Sequence, residues 1–312
     1  MMLIVTYRKI FFALSAVIVA AAIGSIAVFG LNFGIEFTGG ELIETKYAER
    51  PAKTVVEAQL NELELGAYSL RAAGDDEFIL RVRPLEEAER DAVFAAVTQV
   101  GLPAQAGESV GLPAQTGTIE RFNSIGPTIG TELRNKAWIA MLAVVLAIIV
   151  FIAVAFRKVS EPVSSWKYGF IAIIALLHDV IVPAGLFAAL GYFFGAEVDV
   201  LFVMALLAIL GYSVNDTIVV FDRVRENLRE NEEKNRREDF ELTVGKSLNQ
   251  TYMRSINTSI TTLVVLLALF FIGSEVTQDF ALMLIAGVLA GTYSSLFLAT
   301  PLLVTVQNWQ DK

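Results

Sequence analysis

Four ionisable residues stand inside otherwise apolar stretches, and their types are the ones that could do chemistry. Asp216 lies within Gly211-Tyr212-Ser213-Val214-Asn215-Asp216-Thr217, a short way before the charged pair Asp222-Arg223. Arg254 opens the next apolar run, and His178 and Asp179 are adjacent half-way along an earlier one. A charge at the centre of a lipid-spanning helix costs about 2.5–3.5 kcal/mol on insertion scales. Such residues therefore mark proton or ion paths, or paired structural sites.

Thr251, Arg254, Thr258 and Thr261 recur at i, i+3, i+7 and i+10, which puts them on one helical face at about the depth of Asp216. Antiparallel helices joined through residues 223–253 would bring Asp216 and Arg254 into contact. Beside the guanidinium the carboxylate stays ionised; were the arginine to move away, burial would favour protonation. Proton uptake and helix displacement would then be coupled, and one charge crossing the membrane yields about 2.3 kcal/mol per 100 mV. The pair can also be read as a static salt bridge that fixes helix pairing. The relay is preferred, with Asn215 and Thr217 as its neighbours. His178-Asp179 could extend a proton path, since histidine titrates near neutral pH, or could be a neutral imidazole beside a hydrogen-bonded carboxylate; both readings stay open. Asp199 and Asp279 stand at the outer ends of apolar runs, where most acidic residues are merely solvated and a proton mouth is the secondary reading.

The elements that must position these residues are membrane helices. The 312 residues are 55% hydrophobic and 18% charged, against about 25% charged in soluble domains. Apolar runs near 10–30, 136–156, 168–193, 199–222, 254–273 and 280–306 are each long enough for a bilayer core. Ser25-Ile26-Ala27 resembles a signal-peptide cleavage site, but apolarity continues through Phe33, so the first run is read as an uncleaved anchor. Arg157, Lys158 and Lys167 lie in one short loop. Arg223, Arg225, Arg229, Lys234, Arg236, Arg237 and Lys246 lie in segment 223–253, and the opposite short loops hold no lysine or arginine. The positive-inside rule then puts both termini in the cytoplasm and residues 31–135 outside. Gly191/Gly195 and Gly287/Gly291 have GxxxG spacing and, with Pro183 and Pro301, read as packing features.

Residues 31–135 read as one external domain. Strands are expected at Glu41–Tyr47, Tyr68–Ala72, Glu77–Val82 and Thr118–Ile125. Helices are expected from Pro51 to a stop at Gly66, and from Pro84 to a stop at Gly101. The order β-α-β-β-α-β is ferredoxin-like. Gly101–Gln105 and Gly111–Gln115 both read GLPAQ, a loop signal with no assigned function. The domain carries 17 acidic and 9 basic residues, which argues against nucleic acid. With no cysteine and one histidine, disulfides, thiolate metal sites and multi-histidine zinc sites are excluded. Gly245-Lys246-Ser247 ends like a phosphate loop, but Phe240 stands where the first glycine belongs, so ATP hydrolysis is not expected.

Several motifs together resemble a known family. GIEFTGG at 34–40, with Gly34, Glu36, Phe37, Gly39 and Gly40, is similar to the signature opening the external domain of SecD and SecF proteins. GYSVNDTIVVFDRVREN at 211–227 and LNQTYMRSINTSITTL at 248–263 resemble SecF-type fourth and fifth spans; ALLHDV at 175–180 and GTYSSLFLATPLL at 291–303 also fit. The resemblance implies half of a transporter of the RND type: a six-helix transmembrane bundle with an α+β external domain, in the bacterial inner membrane. It implies pairing with SecD and work beside the SecYEG channel and SecA, with YajC and YidC as further candidates. Protons would be the coupling ion, with no other cofactor, and unfolded preprotein and membrane lipid would be the remaining contacts. Asp216 and Arg254 then correspond to the family's transmembrane aspartate and arginine linked to proton transport. Two other readings remain: a half-size RND-type exporter of small molecules or lipids, and a non-transporting assembly factor, which leaves Asp216 in lipid without a purpose.

Overall fold

A computed structural model of the chain describes residues 2–100, 115–155, 165–236 and 238–310. The basic residues Arg157, Lys158 and Arg237, the helix stop at Gly101 and the pentad duplication up to residue 114 lie outside the described residues. In chain order the first elements are α1 (Met2–Thr6), α2 (Arg8–Phe29), α3 (Ile35–Thr38), β1 (Gly40–Tyr47), α4 (Lys53–Asn61), β2 (Tyr68–Ala73), β3 (Glu77–Val82) and α5 (Glu87–Thr98). Then come β4 (Gln99–Val100), β5 (Gln115–Ile125), α6 (Pro127–Ala155), α7 (Ser165–Phe193), α8 (Val200–Glu233) and α9 (Phe240–Ile272). The last span is α10 (Glu275–Tyr293), a π-helical segment (Ser294–Ala299) and α11 (Thr300–Gln310). Two compact units result, one of residues 1–32 and 138–312, the other of residues 33–137.

The helical unit holds the expected bundle. Among the described residues six helical stretches are long and apolar enough to cross a membrane: Arg8–Phe29, Pro127–Ile152, Lys167–Phe193, Val200–Glu233, Phe240–Ile272 and Thr277–Trp309. Small residues let neighbours approach closely. A Cβ on Gly185 would overlap Ala22 of α2, while Ser25 donates to the Gly185 carbonyl at 2.7 Å. A Cβ on Gly287 would overlap Ile209, and one on Gly291 would stand 3.0 Å from Ser213 Cβ, so both glycines seat the last span on α8. Gly195 has φ +71 and belongs to the turn after α7, not to a packing face. Pro301 has no N–H to offer the Phe297 carbonyl. The chain ahead of it widens into the π segment, where Thr300 Oγ1 reaches the Ser295 carbonyl at 2.8 Å. Helices α8 and α9 outrun their apolar spans: the described part of 223–253 is mainly two helix extensions, the first ending at Glu233 and followed by Asn235 at φ +50.

The other unit has the ferredoxin-like order with two additions. Its antiparallel sheet runs β2-β3-β1-β5-β4, with Ile43 opposite Leu80 on one side and Phe122 on the other. Alternation sends Phe78, Leu80 and Val82 of β3 inward, onto Val56 and Leu60 of α4 and Val93 and Val97 of α5. The strand β4 and the one-turn α3 leave no mark in the sequence pattern, because two and four residues carry no periodicity. Helix starts shift too. Neither Pro51 nor Pro84 is the first helical residue; α5 begins after Glu86, whose N–H donates to Glu89 at 3.0 Å.

Candidate functional site

A polar seam joins α8 to α9. From the turn inward, Asn231 donates to Thr243 (3.2 Å), Asn227 to Ser247 (2.7 Å) and Arg223 to Gln250 (2.6 Å). Deeper, Ser255 donates to Asp216 Oδ1 at 2.5 Å and the Tyr212 hydroxyl to Ser259 at 3.2 Å. On α9 the partners Thr243, Ser247, Ser255 and Ser259, with Thr251 between them bonded to its own helix, recur every fourth residue, the ridge that packs into a neighbour's groove, and all five are buried. The antiparallel register therefore places Ser255, not Arg254, opposite Asp216.

This corrects the expected contact. No ion pair joins Asp216 to Arg254; the arginine lies within electrostatic range of the carboxylate but is exposed on the surface of this chain, as are Thr258 and Thr261. One residue along an α-helix is a turn of about 100°, enough to carry Arg254 off the seam. Asp216 is half-buried, and its Oδ2 has no hydrogen-bond partner among the described residues. Asn215, Asp216 and Thr217 point three ways: Asn215 outward, Asp216 to α9, and Thr217 to Ser295 of the π segment at 2.8 Å.

A second polar centre lies inside the helical unit. Asp179 is fully buried, with Oδ1 2.9 Å from His178 Nδ1. Its Oδ2 accepts from Ser213 of α8 and, at 2.7 Å, from Ser294 of the π segment. The imidazole stacks on Tyr293, whose hydroxyl donates to the Phe11 carbonyl at 3.0 Å. Two residues considered for a proton mouth differ: Asp199 caps α8, accepting from the Phe202 N–H at 2.7 Å, and Asp279 is exposed near the start of α10.

In the sheet unit, the residues of GIEFTGG make a tight corner. Gly34 precedes α3, which buries Ile35 and Phe37 and carries Glu36 in its single turn. Gly39 follows at φ +75, ψ 158, backbone that only glycine adopts freely. A Cβ there would stand 2.7 Å from Pro127 Cα, one on Gly40 2.6 Å from the Val82 carbonyl oxygen, and one on Gly130 2.7 Å from Gly39 N. The corner thus packs backbone on backbone against the first turn of α6 and the end of β3.

Composition alone did not single out Ser213, Ser255, Ser259, Ser294 and Ser295. Their signal was the fourfold recurrence of Ser and Thr in 243–259 and the Ser-Ser pair ahead of Pro301.

Residues 110–309 match the family model described as protein export membrane protein SecD/SecF, C-terminal, and residues 24–48 match the SecD/SecF GG motif. The chain belongs to the SecD/SecF family. The SecD/SecF match takes in both polar centres and the glycine corner. The protein translocase subunit SecF of Thermobaculum terrenum is 40% identical over 318 residues, covering 99% of this chain and 94% of its own. That of Pseudomonas aeruginosa is 34% identical, covering 95% and 89%. The crystal structure of SecDF, a translocon-associated membrane protein from Thermus thermophilus, superposes with a TM-score of 0.80 at 30% identity, covering 99% of this chain. This chain spans 38% of the length of that SecDF chain. As a member of the SecD/SecF family, the chain is a multi-pass membrane protein.

Proposed function

We propose that this chain is the SecF-type subunit of a bacterial Sec preprotein translocase. Paired with a SecD-type chain, it uses the proton motive force to promote late translocation and release. The observation that carries the reading is Asp216, a half-buried carboxylate inside a membrane span. Ser255 holds one of its oxygens, and the other is unbonded among the described residues and able to take a proton. Arg254 stands beside it on the exposed face of α9, where a helix of the SecD-type chain can meet both. Movement of that helix would change how strongly the guanidinium favours the ionised carboxylate, which couples protonation to displacement.

In this reading both termini and the 223–253 end lie in the cytoplasm and the sheet unit lies outside the inner membrane, which the basic residues of 223–253 and Lys167 support. The SecYEG channel and SecA act upstream on the same preprotein, and YajC and YidC are accessory partners. The test is release of a preprotein from proteoliposomes holding the SecD-paired complex under a proton gradient. Asp216→Asn is expected to assemble normally and to lose at least about tenfold of the gradient-dependent rate, equivalent to 1.4 kcal/mol of lost coupling. Release at the wild-type rate would refute the proton-driven reading.

A further inference from the structure

We propose that His178 and Asp179 form a second proton-binding site, internal to this chain and separate from Asp216, which takes up its proton at His178 Nε2. Both side chains are at least nine-tenths buried, at 4% and 0% exposure. The groups bonded to Asp179 are one imidazole and two serine hydroxyls; no lysine or arginine pairs with it among the described residues. With a neutral imidazole donating from Nδ1, the pair would carry a net charge of −1 in the bundle interior, where an unpaired charge is expensive. The same tautomer leaves the Nε2 lone pair bare, and Nε2 is buried without a hydrogen-bond partner among the described residues. One proton at Nε2 removes that net charge. The pair is then neutral whether the Nδ1 proton stays or crosses 2.9 Å to Asp179 Oδ1.

The neighbours are built to follow that change. Ser294 Oγ has two acceptors in reach, Asp179 Oδ2 at 2.7 Å and the Gly291 carbonyl at 3.1 Å, so its single proton can turn from one to the other. Among the described residues the titratable groups facing the pair are each other and, from the last span, Tyr293; α8 contributes Ser213, and α2 contributes Ser15 only through the Tyr293 hydroxyl. Ser295, next to Ser294, holds Thr217, which adjoins Asp216 in α8. Both proton sites therefore bear on α8, Asp216 as one of its residues and Asp179 through Ser213. The purpose of the site rests on the proton-driven reading above; its existence does not.

His178 is the only histidine of the chain, so the full chain labelled with 15N-histidine and placed in lipid nanodiscs reports one imidazole. Its ring-nitrogen resonances are expected to change with pH, reporting the gain of a proton at Nε2, in wild type and in Asp216→Asn alike, and to stay fixed in Asp179→Asn. Resonances that stay fixed in wild type, or that titrate unchanged in Asp179→Asn, overturn the proposal. Should Asp179→Asn fail to assemble, Ser294→Ala keeps the pair and removes one donor; it must shift the midpoint by about half a pH unit or more, and an unmoved midpoint counts against the site. Intact titration with normal export by Asp216→Asn sinks only the proton-driven reading. Fixed resonances with export lost sink only the second site.

Discussion

Replacing Gly39 by alanine separates two costs that the glycine corner combines. The backbone at φ +75, ψ 158 is strained for any residue with a Cβ, by about 1–3 kcal/mol. The new methyl would also meet Pro127 Cα at 2.7 Å and Pro127 N at 2.9 Å. These are backbone atoms at the head of a helix, and displacing them adds about 1–3 kcal/mol. The total is about 2–6 kcal/mol, with about 4 as its centre. Gly66, in the same unit, supplies the control: its φ is +76, but a Cβ there meets nothing within 4 Å, so alanine costs the backbone strain alone, about 1–3 kcal/mol. The difference is the close-approach part, about 2 kcal/mol, which corresponds to roughly thirtyfold in an opening equilibrium. Hydrogen–deuterium exchange of the core amides of Ile43 and Leu80 in the full chain measures it. Gly39→Ala should exchange roughly thirtyfold faster than Gly66→Ala. If the two variants exchange within about threefold of each other, close approach is not why glycine stands at 39.

The buried carboxylate beside that corner makes a second prediction. Glu41, 1% exposed, accepts from Arg90 Nε at 3.1 Å and Nη2 at 2.6 Å and from Ser124 at 3.3 Å. Arg90→Ala leaves a buried charge and should destabilise the sheet unit by about 3 kcal/mol, and Arg90→Lys by less but measurably, because an ammonium cannot reproduce the fork. Wild-type exchange in Arg90→Ala would contradict this. At the head of α5, the hydrogen bond from Arg83 and then the Glu86 N–H hold the Glu89 carboxyl down at about 2. Its folded value lies below the usual unfolded value of about 4.3. Its contribution is therefore complete above that pH and is lost as pH falls through about 2. Carboxyl 13C NMR should find the low midpoint in wild type and a return toward the ordinary range in Arg83→Gln; an unchanged midpoint would show that Arg83 is not the cause.

The residues alone determined the class of this protein. Six apolar runs of bilayer length, short loops alternately with and without lysine and arginine, and period-2 strands around period-3.6 helices are local patterns, and local patterns survive in a sequence read in one dimension. The motifs around Asp216 and at Gly39-Gly40 were legible for the same reason. Tertiary structure decided what those residues touch. Whether Asp216 meets Arg254 or Ser255 depends on the register of two antiparallel helices, set by Asn227, Asn231 and Arg223 bonding across a hairpin that begins more than a turn away. One residue of register is about 100° of azimuth, finer than amphipathic spacing can resolve. The partners of Asp179 come from positions 213 and 294, far apart along the chain. They meet because Gly287 and Gly291 let the last span close on α8 and a π turn ahead of Pro301 carries two serines inward.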